Sequence, residues 1–286
     1  MLFLGTGAAE LVPNPFCDCG LCQRIRAGQE LPRKRSALLV DSELCVDFGP
    51  DVLAASQQYQ APLYNLTDIL ITHTHGDHLA IDNINVLTMT ETGCRHICLW
   101  LSPEGVAWME QYRQAVRPLH RGCSGLDELI EKGRLSIEAF TPYRWQNVGN
   151  ARVFPVVSNH PGCHPEEFSL NYVIEKNGKR LLYAADTGLY SQENLDALKN
   201  FGCDTVVMEG TYGSWIMDKS ISHLTCDSYI ENAENFVAAG IAKPDAKFFV
   251  THINQCHSFN HAEYQAYMSA HSKLNITVAH DGMIVD

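Results

Sequence analysis

His73-x-His75-x-Asp77-His78 puts three imidazoles and one carboxylate within six residues. Neutral imidazole and carboxylate are the usual ligands of zinc, manganese and iron. Gly76 lets the chain turn tightly enough to bring Asp77 and His78 round to a second ion. Three more residues of ligand type stand apart: His160 in Ser158-Asn-His160, Asp186 in Ala184-Ala-Asp186-Thr-Gly188, and His252 in Val250-Thr-His252. Taken singly, each would more often be structural. A separate cluster, Cys17-x-Cys19-x-x-Cys22, can wrap one zinc if a fourth ligand comes from elsewhere.

Apolar, β-branched runs precede these residues and must position them. Leu38–Val40 and Leu44–Asp47 read as a hairpin, and Asp68–Thr72 as a buried strand ending at His73. Ile97–Leu101 is a further strand, followed by a helix from Pro103 to Val116, with proline suited to the first turn. Arg152–Val157, Leu170–Glu175 and Arg180–Ala185 are strands, the last two joined by the hairpin signal Asn177-Gly178. Thr205–Glu209 and Lys247–Thr251 are strands around a helix from Thr225 to Ala239, stopped by Gly240. A helix over Ala262–Ala270 and a strand over Ile276–Ala279 close the chain. The order predicts an α/β fold with two mixed sheets packed face to face and helices on the outer faces, one domain over 1–286. The stretch from about 94 to 150 is less patterned and reads as an insertion on the edge of the core.

The 286 residues carry a formal net charge of −12, which disfavours an extended nucleic-acid partner. Arg33-Lys34-Arg35 is the dense basic patch: either a solvated loop or a phosphate-binding one beside an active site. The opening Met1-Leu-Phe-Leu-Gly has no basic region or cleavage site of a signal peptide, and no apolar stretch suits a membrane span. A cytoplasmic protein is expected. Eleven cysteines, an odd number, argue against a disulfide framework.

His-x-His-x-Asp-His is the signature of the metallo-β-lactamase superfamily, and His160, Asp186 and His252 follow in that superfamily's order. The resemblance implies the αββα sandwich of that family and two divalent ions, manganese or zinc or iron. His73, His75 and His160 would bind the first ion, Asp77, His78 and His252 the second, and Asp186 both. Leu4-Gly-Thr-Gly-Ala-Ala9, the cysteine cluster and the closing His280-Asp-Gly-Met283 resemble the PhnP family of phosphodiesterases, which act on cyclic phosphates in phosphonate breakdown.

That resemblance implies a structural zinc on Cys17, Cys19 and Cys22. The family's fourth ligand position holds Gln255 here, so Cys256 or His257 beside it would complete the site. It also makes His223, in Ser222-His223-Leu-Thr225, the general acid, with Asp77 and Asp186 also serving catalysis. Asn159 and Thr187, next to ligand positions, join Arg33 and Arg35 as expected substrate contacts. The implied reaction is attack on phosphorus by a hydroxide bridging the two ions, opening a small cyclic phosphodiester such as a phosphoribosyl cyclic phosphate or a 2′,3′-cyclic nucleotide. A small phosphorylated molecule is then the partner, and a homodimer is plausible for the family. Other readings stand beside it: an RNase Z-like tRNA 3′-processing nuclease, whose long basic arm is missing here; a PqqB-like protein; a lactonase or thioesterase; and a non-enzymatic metal-binding sensor.

Overall fold

The computed structural model describes residues 1–90, 95–116, 125–215, 222–254 and 259–286. Among the described residues, thirteen strands form two mixed sheets. The first contains, in spatial order, β1 (Leu2–Gly5), β2 (Ala37–Leu39), β3 (Leu44–Val46), β4 (Asp68–Leu70), β5 (Ile97–Leu101) and β6 (Leu135–Ala139). The second runs from β13 (Asn275–Val278) through β12 (Ala242–Thr251), β11 (Cys203–Glu209), β10 (Lys179–Ala184), β9 (Phe168–Lys176) and β8 (Ala151–Pro161) to β7 (Gln146–Val148). In each sheet one half is antiparallel and the other parallel: β3 to β6 are parallel in the first, β10 to β13 in the second.

Alternation along the strands creates the layers. Leu70, Leu181, Tyr183, Val207 and Phe249 point between the sheets and pack with Phe3, Leu38 and Tyr172. Their neighbours Leu182, Ala184, Val206, Met208, Phe248 and Val250 point the other way. They bury the apolar faces of α7 (Cys226–Ala238) and α8 (His261–His271), with Leu198 of α6 (Gln192–Leu198). On the outer face of the first sheet, Ile69, Leu99 and Leu101 meet α2 (Val52–Tyr59), α3 (Ile81–Asn85), α4 (Pro103–Val116) and α5 (Leu126–Glu131). A period-2 pattern that is apolar on both faces is what a strand covered on both sides requires. The result is the expected helix–sheet–sheet–helix sandwich, with a short α1 (Gly20–Arg26) near the N-terminus.

The hairpin signal holds: Asn177 (φ 52°) and Gly178 (φ 75°) form the left-handed turn between β9 and β10. The segment from about 94 to 150 is more integral than its weak pattern suggests. It supplies β5 and β6, two of the first sheet's six strands, and β7 at the edge of the second. Among the described residues, no helix is long and apolar enough to cross a membrane.

Candidate metal centre

The candidate site lies where strands of both sheets end. His73 follows β4, His160 lies at the end of β8, and Asp186, Glu209 and His252 sit at or just past the ends of β10, β11 and β12. Open α/β sheets place ligands at such carboxyl ends, where the backbone leaves the ladder and side chains turn to a common point. Asp47, Asp186 and His252 adopt left-handed backbone, with φ of 63°, 52° and 54°. Residues without glycine's freedom hold that conformation only when the surroundings enforce it. The turn after His75 is pinned by close approach: a Cβ on Gly49 would lie 1.9 Å from the Asp77 carbonyl oxygen.

Three groups of donors converge here, one of them Glu209, His223 and His252, and the other two share a carboxylate. His73, His75, His160 and Asp186 have donor atoms all within 4.8 Å of one another, and so do Asp77, His78, Asp186 and His252. Asp186 belongs to both. In the first group, His73 Nε2 is 2.9 Å from His75 Nδ1 and 3.4 Å from Asp186 Oδ2, and His160 Nε2 is 3.3 Å from His75 Nδ1. In the second, His78 Nε2 is 3.1 Å from Asp77 Oδ2 and 3.2 Å from Asp186 Oδ2, and His252 Nε2 is 3.0 Å from Asp186 Oδ1. A tetrahedron with bonds of ~2.1 Å has edges of about 3.4 Å, so these separations suit polyhedra around ions. Although so close, His78 Nε2 and Asp186 Oδ1 are buried without any hydrogen-bond partner. A cation held between the donors would satisfy both atoms. The donor set fits two divalent ions of the zinc or manganese type.

The remaining ring nitrogens are held from behind. His78 Nδ1 bonds Asp47 Oδ2 at 2.8 Å, and Asp47 Oδ1 accepts from the Thr72 amide and hydroxyl, both at 2.9 Å. Thr72 Oγ1 also lies 3.1 Å from His73 Nδ1, and Thr211 Oγ1 2.9 Å from His252 Nδ1. Partners of this kind fix the tautomer and orientation of ligating imidazoles. Thr74, between the two first histidines, donates its amide to Glu167 Oε1 at 3.0 Å and its hydroxyl to Oε2. Burial drives His73 well below the ordinary imidazole range, and drives His160 down to about 4. For His78, burial is outweighed by Asp77, Asp47 and Asp186, which raise it.

His223 borders both groups. Its ring centroid is 4.6 Å from that of His160 and 5.8 Å from that of His252, and its side chain keeps 16% exposure. Glu209 Oε1 accepts the Nδ1 proton of His223 at 2.6 Å. Burial opposes a charged ring there, yet the Glu209 charge and hydrogen bond raise His223 to about 9.

The family model described as the beta-lactamase superfamily domain matches residues 43–253. The chain belongs to the metallo-β-lactamase superfamily. No curated protein matches the sequence significantly. Among solved structures of the superfamily fold, a new diphosphatase from the PhnP family superposes with TM-score 0.71 at 19% identity, covering 99% of this chain and 95% of that one. Zinc-bound PqqB from Methylobacterium extorquens gives 0.71 at 20%, covering 100% and 99%. The short form of human tRNase Z gives 0.62 at 18%, covering 100% and 98%. At such identities the likeness is one of fold.

Within this superfamily fold, the structure gathers His73, His75, Asp77, His78, His160, Asp186, His252 and His223 at one place. Cys17, Cys19 and Cys22 converge separately, their sulfurs within 4.8 Å of one another at the start of α1, a group that could hold a metal ion. Burial, joined by its two partner thiols, pushes Cys22 up to about 12. Cys256 and His257, the expected fourth ligands, lie outside the described residues. Asn159 and Thr187 knit loops together: Asn159 Oδ1 accepts from the Gly188 amide at 2.7 Å, and Thr187 donates its amide to Glu209 Oε1 and its hydroxyl to the Gly188 carbonyl.

The basic loop departs from the expectation. Arg33 is 5% exposed, and its guanidinium donates to Thr6 Oγ1 (2.7 Å) and the Ala279 carbonyl (2.6 Å) and meets His261 Nδ1 (3.0 Å). So buried and so fully engaged, it ties the N-terminal loop to β13 and α8 instead of receiving a phosphate. Arg35 is paired with Asp51 at 3.2 Å and donates to the Ala9 carbonyl. Sequence reasoning missed Asp47, Glu209, Glu167, Thr72 and Thr211. A usable signal existed for two: Asp47 and Glu209, like Asp186, are acids at the end of an apolar strand.

Proposed function

We propose that the chain is a metal-dependent phosphodiesterase with a dinuclear centre, opening small cyclic phosphodiesters of the phosphoribosyl cyclic phosphate or 2′,3′-cyclic nucleotide class. The observation that carries this reading is the pair of donor groups sharing Asp186, bordered by a histidine whose far nitrogen is locked by a buried glutamate. His73, His75 and His160 would hold one ion, Asp77, His78 and His252 the other, and Asp186 both. When bound, two divalent ions would supply Lewis acidity to phosphoryl oxygens and acidify a water.

The chain's own groups do the rest. Glu209 keeps the Nδ1 proton of His223 in place, so Nε2 is the nitrogen that can give up a proton. Water oxygen forms a bond to phosphorus as the bond to the ring-closing ester oxygen breaks. The Nε2 proton of His223 passes to that leaving oxygen, and the proton released by the water replaces it. The product is a phosphomonoester. Asp47, Thr72 and Thr211 hold the imidazoles so that none must reorient during the reaction. Cys17, Cys19 and Cys22 would keep a structural zinc away from this chemistry.

Phosphorus rather than carbonyl carbon is favoured by this acid and by the similarity to a PhnP-family diphosphatase. The test compares bis-p-nitrophenyl phosphate with p-nitrophenyl butyrate, using metal-reconstituted protein. Phosphodiester turnover is expected. Ester turnover alone would make the protein a carbonyl hydrolase.

A further inference from the structure

We propose that Glu167 is a positioning residue for one ion of the pair: it stitches the loop of His73 and His75 in the first sheet to the His160 hairpin of the second, and so sets the affinity of the first ion but not that of the other. This rests on the dinuclear centre proposed above.

The three imidazoles of the first group come from two sheets. His73 and His75 follow β4, whereas His160 lies at the end of β8, so their spacing depends on a tie between the sheets. The hairpin from β8 to β9 supplies it. Its tip is closed by the Gly162 amide on the Glu167 carbonyl and by the Glu167 amide on the His164 carbonyl, both at 2.9 Å. From that tip Glu167, 1% exposed, accepts the Thr74 amide proton at Oε1 (3.0 Å) and the Thr74 hydroxyl proton at Oε2. Thr74 lies between His73 and His75. The Leu170 amide adds a bond to the Thr72 carbonyl at 2.8 Å along the same seam.

The direction of each bond makes the carboxylate specific. The Thr74 hydroxyl oxygen already accepts from the Cys163 amide at 3.1 Å, so its own proton goes to Glu167. A carboxylate presents acceptors to both Thr74 donors. A glutamine with its oxygen on the Thr74 amide would turn N–H donors towards the hydroxyl and leave the hydroxyl proton without an acceptor. The hairpin also makes room for the carboxylate: a Cβ on Gly162 would lie 2.1 Å from Glu167 Oε2. A side chain at Gly162 would therefore push the carboxylate off Thr74.

Imidazoles of the second group are held by other strand ends. Asp47, just past β3, bonds His78 Nδ1 at 2.8 Å, and Thr211, just past β11, meets His252 Nδ1 at 2.9 Å. Among the described residues, no hydrogen bond joins Asp47 or Thr211 to Glu167 or Thr74. Loss of the Glu167 tie should therefore loosen the first ion and leave the other group's imidazoles in place.

The experiment titrates metal-free protein with manganese(II), which suits carboxylate better than thiolate and so reports this centre rather than the cysteines. Electron paramagnetic resonance separates a lone ion from a coupled pair. Wild type is expected to take up two ions and show the pair. Glu167→Gln and Gly162→Ala should each need about 10–100-fold more manganese to form it. Thr74→Ser, which keeps the hydroxyl, should behave as wild type. His75→Ala removes a ligand of the first ion, and the ion it retains should bind equally tightly with and without Glu167→Gln. If Glu167→Gln does not fold, Gly162→Ala takes its place in that comparison. Pair formation unmoved in both variants, or a retained ion weakened as much as the pair, overturns the clamp while the dinuclear reading stands. A wild type that never forms the coupled pair overturns the dinuclear reading, and the clamp with it.

Discussion

Glu209 receives the Nδ1 proton of His223 at 2.6 Å while three backbone amides, those of Thr187, Thr211 and Leu224, point at the same carboxylate. Burial resists a charged imidazole, but the Glu209 interaction wins and raises His223 to about 9. A proton donor must enter the reaction protonated, so turnover should fall on the alkaline side, at a pH that the Glu209 charge sets higher. Glu209→Gln keeps an acceptor and removes the charge, which should move that fall towards the ordinary imidazole value of about 6.5. A pH profile of kcat reads it. An alkaline limb in the same place in both proteins would remove His223 from the acid role.

The same relationship predicts a leaving-group effect. His223→Ala should slow diesters with alkoxide leaving groups by about 10²–10⁴. Bis-p-nitrophenyl phosphate, whose phenolate departs without a proton, should lose far less. Equal losses on both would mean that His223 positions the substrate instead.

Glu167 is 1% exposed, and no lysine or arginine pairs with it among the described residues. Its carboxylate holds the amide and hydroxyl of Thr74, between His73 and His75. Glu167→Gln should therefore weaken metal binding by about 10–100-fold, the usual cost of losing a partner behind the ligands. Titration calorimetry of the metal-free protein with zinc or manganese would show it. An unchanged affinity would make Glu167 a structural tie only.

Arg33 and His261 predict stability rather than rate. Arg33→Met should lower the unfolding free energy by about 2–3 kcal/mol, since Thr6 Oγ1 and the Ala279 carbonyl lose a buried charged donor. Urea unfolding checks this, and a raised KM without loss of stability would restore Arg33 as a substrate contact. His261 is pushed down to about 4 by burial and by the nearby Arg33 and His280 charges. Between about 4 and the ordinary imidazole value of 6.5 the unfolded chain then binds more protons than the folded one. The stability contributed by neutral His261 is present above that window and lost as pH falls through it. The Tm advantage of wild type over His261→Asn should shrink between pH values of about 7 and 4.5. A constant difference would contradict the burial of His261 against Arg33.

The convergence of the donors was legible because ligand-type residues cluster locally: His73, His75, Asp77 and His78 share one loop, and His160, Asp186 and His252 each end an apolar run. Helix α4 and strand β5 match their expected bounds because their patterns are clean. Arg33 was misread because charge in a sequence carries no sign of burial. Its environment is made by Thr6, Ala279 and His261, which are remote along the chain. Glu167 was invisible for the same reason, since its partner Thr74 lies in a different strand connection. β1 and β6 were missed because short strands at a sheet edge have little periodicity of their own.

The most direct test is a titration of metal-free protein with zinc or manganese, reading bound metal and bis-p-nitrophenyl phosphate hydrolysis in the same sample, with Asp186→Ala alongside. Turnover should rise to its full value only as a second ion binds at the shared-carboxylate centre, beyond any held by the cysteines, and Asp186→Ala should lose both that ion and the turnover. Full turnover with one ion at the centre, or turnover preserved in Asp186→Ala, would contradict a dinuclear phosphodiesterase.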